Sequence, residues 1–572
     1  MDKIKAILEN IKLKNLDKAL HQCNEYEGDS NKNNHLISNF RGVIYFLKKD
    51  LNLAEINFIK SHKIDSKFED PIKNLFLIYL NKKNLNKALE FSEKLYEINN
   101  KNDLYSYQLA YINELIGDNI SALDFYKKCI ELEGKNKLKA LNNIGSLYLK
   151  NNKPKISLEY FTKAFQINSR DKIIVNNLLL NYINLRNKKK SEELFLLSEK
   201  IDSEYIEFLL NKAEYFILKE NYVDAIQILL QHKDKTKFLI TLIGLYFKMG
   251  KDNEASSLLD DSRDKLKNDK NFYNYLGIRY LYEGNFEHGW KYYEYRGSKL
   301  TNILKDIKEW NGEKIDNKNI VVFNEQGLGD TIQFSKYLLS LSKISNEVSF
   351  VVPKNILNLF NHNLEKIRIE TIDTIINKTY DYKITLGSLL KFFYKDKFKI
   401  NENLLMKDKI NISKWNKKLD ITKPKIGIVW SGSFLGPNEP FRSVPLKSLD
   451  KVLSLDLNFY SLQNEIWDRD EEYFAKTSMN KLGEYDLVEI ASIIENLDLV
   501  ISADTSILHL SCCLNKETWG IFNIYPDWRW AEFNKINPYP SLKMFKQKKF
   551  NQWDEVTDEI FRELQLKFNL AQ

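Results

Sequence analysis

The stretch Leu497–Leu510, LDLVISADTSILHL, is an apolar run that stops at Ala503-Asp504-Thr505 and restarts with helical spacing. Such a run reads as a strand buried on both faces of a parallel sheet. Asp504-Thr505-Ser506 is a helix N-cap signature. A strand running into a helix N-terminus gathers unpaired N–H groups and the positive end of a helix dipole in one crevice, which suits a phosphate group. His509 follows one turn later, on the face of Thr505. The pattern points to a phosphorylated ligand, above all a nucleotide. For Asp504 the structural alternative is plain capping, because a carboxylate repels phosphate. It would then organise the amides or bind a sugar hydroxyl.

Two further clusters can carry chemistry. Gly327-Leu328-Gly329-Asp330 opens a helix behind the strand Asn319–Asn324. The glycines let the backbone turn tightly and approach a ligand, and Asp330 projects where the crevice of an open parallel sheet lies. A carboxylate there can accept a proton from an acceptor hydroxyl, worth about 10²–10⁴-fold in rate. As a plain cap it is worth about 1 kcal/mol. The glycines do not make GxGxxG, so dinucleotide oxidoreduction lacks its fingerprint. Ser431-Gly432-Ser433 follows another strand, with Arg442 a few residues on. Hydroxyls, backbone amides and one arginine suit a diphosphate. Tyr525–Trp530, YPDWRW, is aromatic-rich and proline-broken, and reads as a lip or as a packed connector.

Regular elements must hold these loops. Strands are expected at Asn319–Asn324, EVSFVV, Lys425–Trp430, NFYSLQ and LDLVIS. Helices are expected at Thr331–Lys343, TLGSLLKFFY, YDLVEIASIIEN and Trp553–Phe568. Strands alternating with helices imply parallel sheets. The spacing suggests two Rossmann-like α/β lobes facing a cleft, over residues 298–405 and 424–572. A polar linker, 406–423, contains Trp415.

Residues 1–297 are different. A small residue recurs at Ala19, Ala54, Ala88, Ala122, Ser157, Ser191, Ala225, Ala255 and Gly289, a period of about 34 broken by one step of 30. Twelve residues before most of them stands a companion: Gly42, Ala110, Gly145, Ala213 or Gly277. This is the tetratricopeptide period, and it predicts an α-solenoid of at most nine units with a groove for a protein partner. Asn74, Asn143, Asn177 and Asn211 each lie fourteen residues before their repeat's small residue. On the inner helices they would form an amide ladder that binds an acceptor's backbone, similar to the ladder of O-linked N-acetylglucosamine transferases. The alternative is that asparagine is simply common in such repeats and in this chain.

The bulk numbers set bounds. A chain of 572 residues exceeds one core, and 43% hydrophobic with 29% charged residues describes a soluble globular protein. Net charge is +8, with no dense basic stripe, so nucleic acid is not the expected partner. Apolar runs fall short of the roughly 20 residues of a membrane span. The amphipathic start, MDKIKAILENIKLKNLDKAL, lacks an apolar signal core, so a cytoplasmic protein is expected. Cys23, Cys129, Cys512 and Cys513 make neither a disulfide framework nor a zinc pattern. Only His362 and His509 occur after residue 300, which excludes a multi-histidine metal site there.

The sequences NEQGLGDTIQFSKYL, PKIGIVWSGS, FRSVPLKSL, FYSLQ, LDLVISADTSILHL and YPDWRW occur in one order. In that order they resemble bacterial proteins that join tetratricopeptide repeats to a glycosyltransferase domain similar to the heptosyltransferases of glycosyltransferase family nine. The likeness covers about residues 270–570. It implies a GT-B fold, a nucleotide-sugar donor held mainly by the C-terminal lobe, and inverting transfer without metal or cofactor. Asp330 matches the proposed base. Asp504, Thr505, Ser506 and His509 match an Asp-Thr-Gly-x-x-His donor motif, and Arg442 stands where the family carries a lysine. Donor phosphates would rest on the amides after Ser431 and Asp504, with Gly327, Gly329, Gly432, Ser433 and Gln463 in the same donor set. Arg442 and His509 would offset leaving-group charge. Two departures matter. Ser506 replaces the motif glycine and narrows the space beside the donor, and arginine for lysine leaves the donor sugar open. The resemblance implies sugar transfer to a protein or glycan recruited by the repeats. The rivals are a non-catalytic scaffold and a surface-glycan or lipopolysaccharide glycosyltransferase.

Overall fold

A computed structural model describes residues 2–26, 34–297, 304, 306–394, 404–436, 439–531 and 539–570. By contact the chain divides into two compact units, Met1–Ala225 and Ile226–Gln572.

The first unit is a run of paired helices, such as Asn34–Leu47 with Leu51–Ile64 and Lys137–Lys150 with Pro154–Ile167. The small residues sit where paired helices touch. A Cβ on Gly42 would stand 2.5 Å from the Phe58 ring, and one on Gly145 would stand 2.7 Å from Phe161. Ala19, Ala54, Ala88, Ala122 and Ala225 are fully buried. The turns keep the same beat. Left-handed backbone occurs at Lys14, Lys49, Lys83, Gly117, Asn152, Arg186, Glu220, Gly250 and Gly284, each five residues before a small residue. An L-residue costs about 1–2 kcal/mol in that conformation. Only three of these nine turns use glycine, and at the other six a helix-closing backbone bond follows, such as Asn15 N–H to the Asn10 carbonyl and Asp50 N–H to the Tyr45 carbonyl.

The second unit opens with further helices, Thr236–Lys248, Asp252–Asp261, Lys270–Tyr282 and Phe286–Tyr293. They continue the repeat in sequence but belong by contact to the α/β part of the chain. The expected boundary at 297/298 falls at the edge of the described residues, whereas the contact division lies at 225/226. Trp290 and Tyr293 share one apolar cluster with Ile320, Val322 and Leu390, which explains the attachment.

The rest of this unit is built on two parallel sheets. The first contains β1 (Lys308–Glu309), β2 (Ile315–Phe323), β3 (Ser345–Val351), β4 (Ile367–Glu370) and β5 (Tyr382–Thr385), in the order β1-β5-β2-β3-β4. The second contains β6 (Lys425–Val429), β7 (Asn458–Ser461), β8 (Asn480–Lys481), β9 (Leu499–Ala503), β10 (Thr518–Phe522) and β11 (Leu542–Lys546). Its order is β11-β10-β9-β6-β7-β8. Each order reverses once, between β2 and β5 and between β6 and β9. In open α/β sheets ligands bind at such switch points, outside the carboxyl ends of the strands. β9 is buried at every residue, as an apolar run of that kind requires.

Several elements differ from expectation. The helix expected over Thr331–Lys343 is two helices, Leu328–Phe334 and Tyr337–Ile344. Ser335 Oγ donates to the Ile332 carbonyl at the break, a local bond that competes with helix continuation. TLGSLLKFFY is a 3₁₀ turn, Leu386–Leu389, followed by the short helix Leu390–Phe393. The linker is not featureless. It holds the helix Lys409–Asn416, anchored where Trp415 Nε1 donates to Glu489 at 2.8 Å.

Candidate functional site

The Leu328–Phe334 helix follows β2 and the Ser506–Cys513 helix follows β9. They pack directly on each other. Gly329 makes that possible: a Cβ there would lie 2.7 Å from His509 Cδ2 and 3.5 Å from Ser506 Cα. Its requirement is close helix packing rather than approach to a ligand.

Asp330 has two attachments. One carboxylate oxygen accepts the Gly327 N–H at 3.0 Å, and the other lies 2.6 Å from Arg529 Nη2. The capping role and the cleft position therefore coexist. Burial alone would raise this carboxyl, but the Arg529 guanidinium outweighs it and holds Asp330 below the usual carboxylate range. Arg529, 8% exposed, is gripped in turn by Asp527 and by Gln333 Oε1, both at 2.8 Å. Its guanidinium lies over the Phe334 ring.

Across from Asp330 stands the end of β9. Asp504 does not cap the following helix. Thr505 is the N-cap, in extended conformation and without a side-chain cap bond. Its hydroxyl instead lies 3.2 Å from Ser502 Oγ. The helix N-terminus thus keeps the uncapped amides and dipole that favour an anion. Asp504 Oδ2 accepts the Trp530 indole N–H at 3.1 Å, and burial pushes its carboxyl up to about 6 against the pull of Arg529 and Arg442. His509 is buried under the Trp530 ring, with Nδ1 2.9 Å from the Tyr539 hydroxyl. Burial, reinforced by repulsion from Arg529, pushes it down to about 3. This shift favours the neutral imidazole at neutral pH.

The loop after β6 completes this edge. Arg442 Nη1 donates to the Asp504 carbonyl at 3.1 Å, and its Nε lies 2.7 Å from buried Glu439. Glu439 also accepts from the Gly432 amide and from Ser443 Oγ. The Gly432 amide is therefore spent inside the loop. So is Gln463, which accepts from Ser431 N–H and donates to the Ser431 and Glu465 carbonyls. Ser433 Oγ and the Phe434 amide turn to Glu465. Ser431 Oγ, 1% exposed, is buried with no hydrogen-bond partner among the described residues. Gly432 and Gln463 thus shape the loop, and Arg442 ties it to the end of β9.

Residues not singled out as site residues complete the cluster. Arg529 and Trp530 contact the two acidic residues in alternation. The YPDWRW motif was their signal, and among described residues it forms a packed connector. Lys336 lies buried over the Tyr337 and Tyr539 rings, and its ammonium is pushed down by burial to about 8. Neither Tyr539 nor Glu439 carries a sequence signal. Among the described residues no group of three or more histidines, cysteines and carboxylates could hold a metal, and no helix is long and apolar enough to cross a membrane.

In the first unit three of the four asparagines bond to side chains of other helices rather than to one another. Asn177 Nδ2 donates to Asn142 Oδ1 at 2.8 Å, and Asn211 Nδ2 donates to Asn176 Oδ1 at 2.9 Å. Asn143 Nδ2 donates to the Tyr126 and Tyr107 hydroxyls. These N–H groups join neighbouring repeats. Asn211 is buried, while Asn74, Asn143 and Asn177 are half-buried.

Comparison with known proteins agrees with both halves. Residues 105–136 and 138–171 match the tetratricopeptide repeat model, and residues 437–555 match glycosyltransferase family 9 (heptosyltransferase). Protein FlbA of Caulobacter vibrioides is 22% identical over 320 residues, 48% of this chain and 52% of that protein. The chain thus spans about half the length of this curated relative. Among solved structures, a tetratricopeptide repeat protein from Parabacteroides merdae is 19% identical over 41% of this chain and 95% of its own, with a TM-score of 0.36. Pseudomonas aeruginosa pilF is 15% identical over 36% and 94%, with a TM-score of 0.31. The chain is therefore similar to tetratricopeptide repeats in its N-terminal part and to glycosyltransferase family 9 in its C-terminal region.

Proposed function

We propose that the chain moves a sugar from a nucleotide-sugar donor to a protein or glycan acceptor recruited by its repeats. In this reading the two sheets are the lobes of a GT-B fold, 298–405 and 424–572, joined by 406–423 and preceded by the array 1–297. The donor diphosphate rests on the amides that follow Thr505 and beside Ser431 Oγ and Arg442. Asp330 takes the acceptor proton, and the sugar is transferred with inversion and without a metal or cofactor. Neutral His509 acts behind the donor as a fixed hydrogen-bonding group. In the repeat groove Asn74, Asn143 and Asn177 contact the acceptor, with Asn211 bracing the helices. The setting is cytoplasmic.

The observation that supports this reading is the meeting of Asp330 with an uncapped helix N-terminus from the other sheet. A base and an anion site on one shared edge are what acceptor activation and leaving-group stabilisation need. An arginine-gripped carboxylate is a weak base, so the proton moves late, after the bond to the sugar carbon has begun to acidify the hydroxyl.

The test is nucleotide binding followed by transfer. A ligand at 100 times its dissociation constant adds about 2.7 kcal/mol, so a panel of nucleoside diphosphates and their sugars should give one clear thermal shift. Arg442→Ala should abolish that shift. Asp330→Asn should keep the shift and lose transfer or donor hydrolysis by about 10²–10⁴-fold. Stabilisation by no nucleotide would sink the reading.

A further inference from the structure

A well-formed cavity lies away from the Asp330–Thr505 edge. Its volume is about 170 Å³, and it sits at the switch point of the first sheet, at the carboxyl ends of β1, β5 and β2. That is where an open parallel sheet takes a ligand. Behind it lies a charged group that the proposed chemistry does not use. Buried Arg296 pairs with buried Glu325 at 2.8 Å and reaches the Thr385 and Ser388 hydroxyls at 3.0 and 2.8 Å. Glu325 also accepts the Gly387 amide, and burial raises its carboxyl. Gly387 is needed here, because a Cβ would stand 2.6 Å from Glu325 Oε1.

The lining indicates what would fit. One wall is aromatic: Trp310 and Phe392 have ring centroids 4.5 Å apart. The lining carries both signs, Glu294 and Glu309 with Arg296, Lys383 and Lys391, and the amide of Asn311. A phosphate would face the carboxylates and a cation would face the guanidinium, so neither ion matches. A neutral ring with an apolar face and a girdle of hydroxyls matches both the wall and the polar lining. The volume is well below the roughly 300–1,000 Å³ of sites for larger ligands, which admits one ring and excludes a nucleotide sugar. A series of ring contacts leads from the cavity toward the proposed chemistry. Arg296 stacks on Tyr293 at 4.8 Å, and Tyr293 packs edge-on against Trp528, the neighbour of Arg529.

We propose that this cavity is a subsite for one neutral sugar ring of the acceptor, stacked on Trp310 and Phe392. The assignment rests on the sugar-transfer reading and adds the acceptor's chemical class to it.

Saturation-transfer NMR on the full chain, with a saturating nucleotide holding the donor site, tests this against neutral hexoses, N-acetylhexosamines and short peptides. Transfer to the ring protons of at least one pyranose is expected. It should fall at least fivefold in Phe392→Ala and in the lining variant Glu309→Gln, whose exposed side chain leaves folding intact. Transfer to no pyranose, transfer unchanged in both variants, or transfer to peptides alone overturns the subsite. If nucleotides stabilise the chain and sugars do not bind, the subsite fails alone. If no nucleotide binds, the transferase reading fails on its own test.

Discussion

Oδ1 of Asp330 lies 2.6 Å from Nη2 of Arg529, a pair 199 positions apart that ties the helix after β2 to the turn after β10. The carboxylate proposed to do chemistry is therefore held between the two sheets, rather than hanging free at the end of one. Stability and reactivity meet in this contact.

Arg529→Gln leaves Asp330 and Asp527 in a buried setting without their guanidinium. Removing one partner of such a pair costs about 3–5 kcal/mol. Adding Asp330→Asn should recover part of that loss, because the stranded charge is gone. A double-mutant cycle in urea measures the coupling. A coupling under about 0.5 kcal/mol would show the two side chains to be independent.

The same pair predicts an acid limb. The folded Asp330 carboxyl lies below its usual value, so its contribution is complete above the unfolded value of about 3.9 and is lost as pH falls through the lower folded value. The stability gap between wild type and Asp330→Asn should stay level from pH 7 to 5 and close below about pH 4. A gap that closes near pH 6 contradicts the ion pair.

Asp504 and His509 should pull in opposite directions. Asp504, raised to about 6, carries a penalty above that pH that is relieved as pH falls toward 4. His509, lowered to about 3, costs stability as pH falls from about 6.5, because only the unfolded chain protonates there. Asp504→Asn keeps the acceptor for Trp530 and should add at most about 3 kcal/mol at pH 7.5, with the gain fading toward pH 4. His509→Gln should flatten the decline below pH 6.5. Thermal melts at half-unit pH steps separate the two.

Gly329→Ala tests the packing of the two helices. The added methyl would stand 2.7 Å from the His509 ring, and overpacking of this kind costs about 1–3 kcal/mol. Nucleotide-induced stabilisation should fall as well, since the ring braces the Ser506–Cys513 helix. A variant as stable as wild type would show that the helices part freely.

Much of this molecule is legible in its sequence, for physical reasons. The solenoid beat shows because paired helices tolerate only small residues where they touch, as Gly42 against Phe58 demonstrates. Buried strands such as β9 show because both faces must be apolar. Asp330 and the Asp504–His509 stretch show because they directly follow strands. Arg529 and Tyr539 do not, because their partners lie far away along the chain and no local periodicity encodes such a contact. The break at Ser335 also escapes, since apolar spacing continues across it while the Ser335 hydroxyl bonds the Ile332 carbonyl there. The downward shift of His509 comes from its burial and from Arg529, twenty positions on, which spacing cannot express.

The burial of Trp290 and Tyr293 among the side chains of the first sheet bears on how such proteins diversify. A recombination event that swapped arrays at residue 297 would cut through shared hydrophobic packing and hand the recipient a torn interior. An exchange in the turn before the helix Thr236–Lys248 would leave it intact. Viable chimeras should therefore carry their last repeats with the α/β part and trade only those upstream.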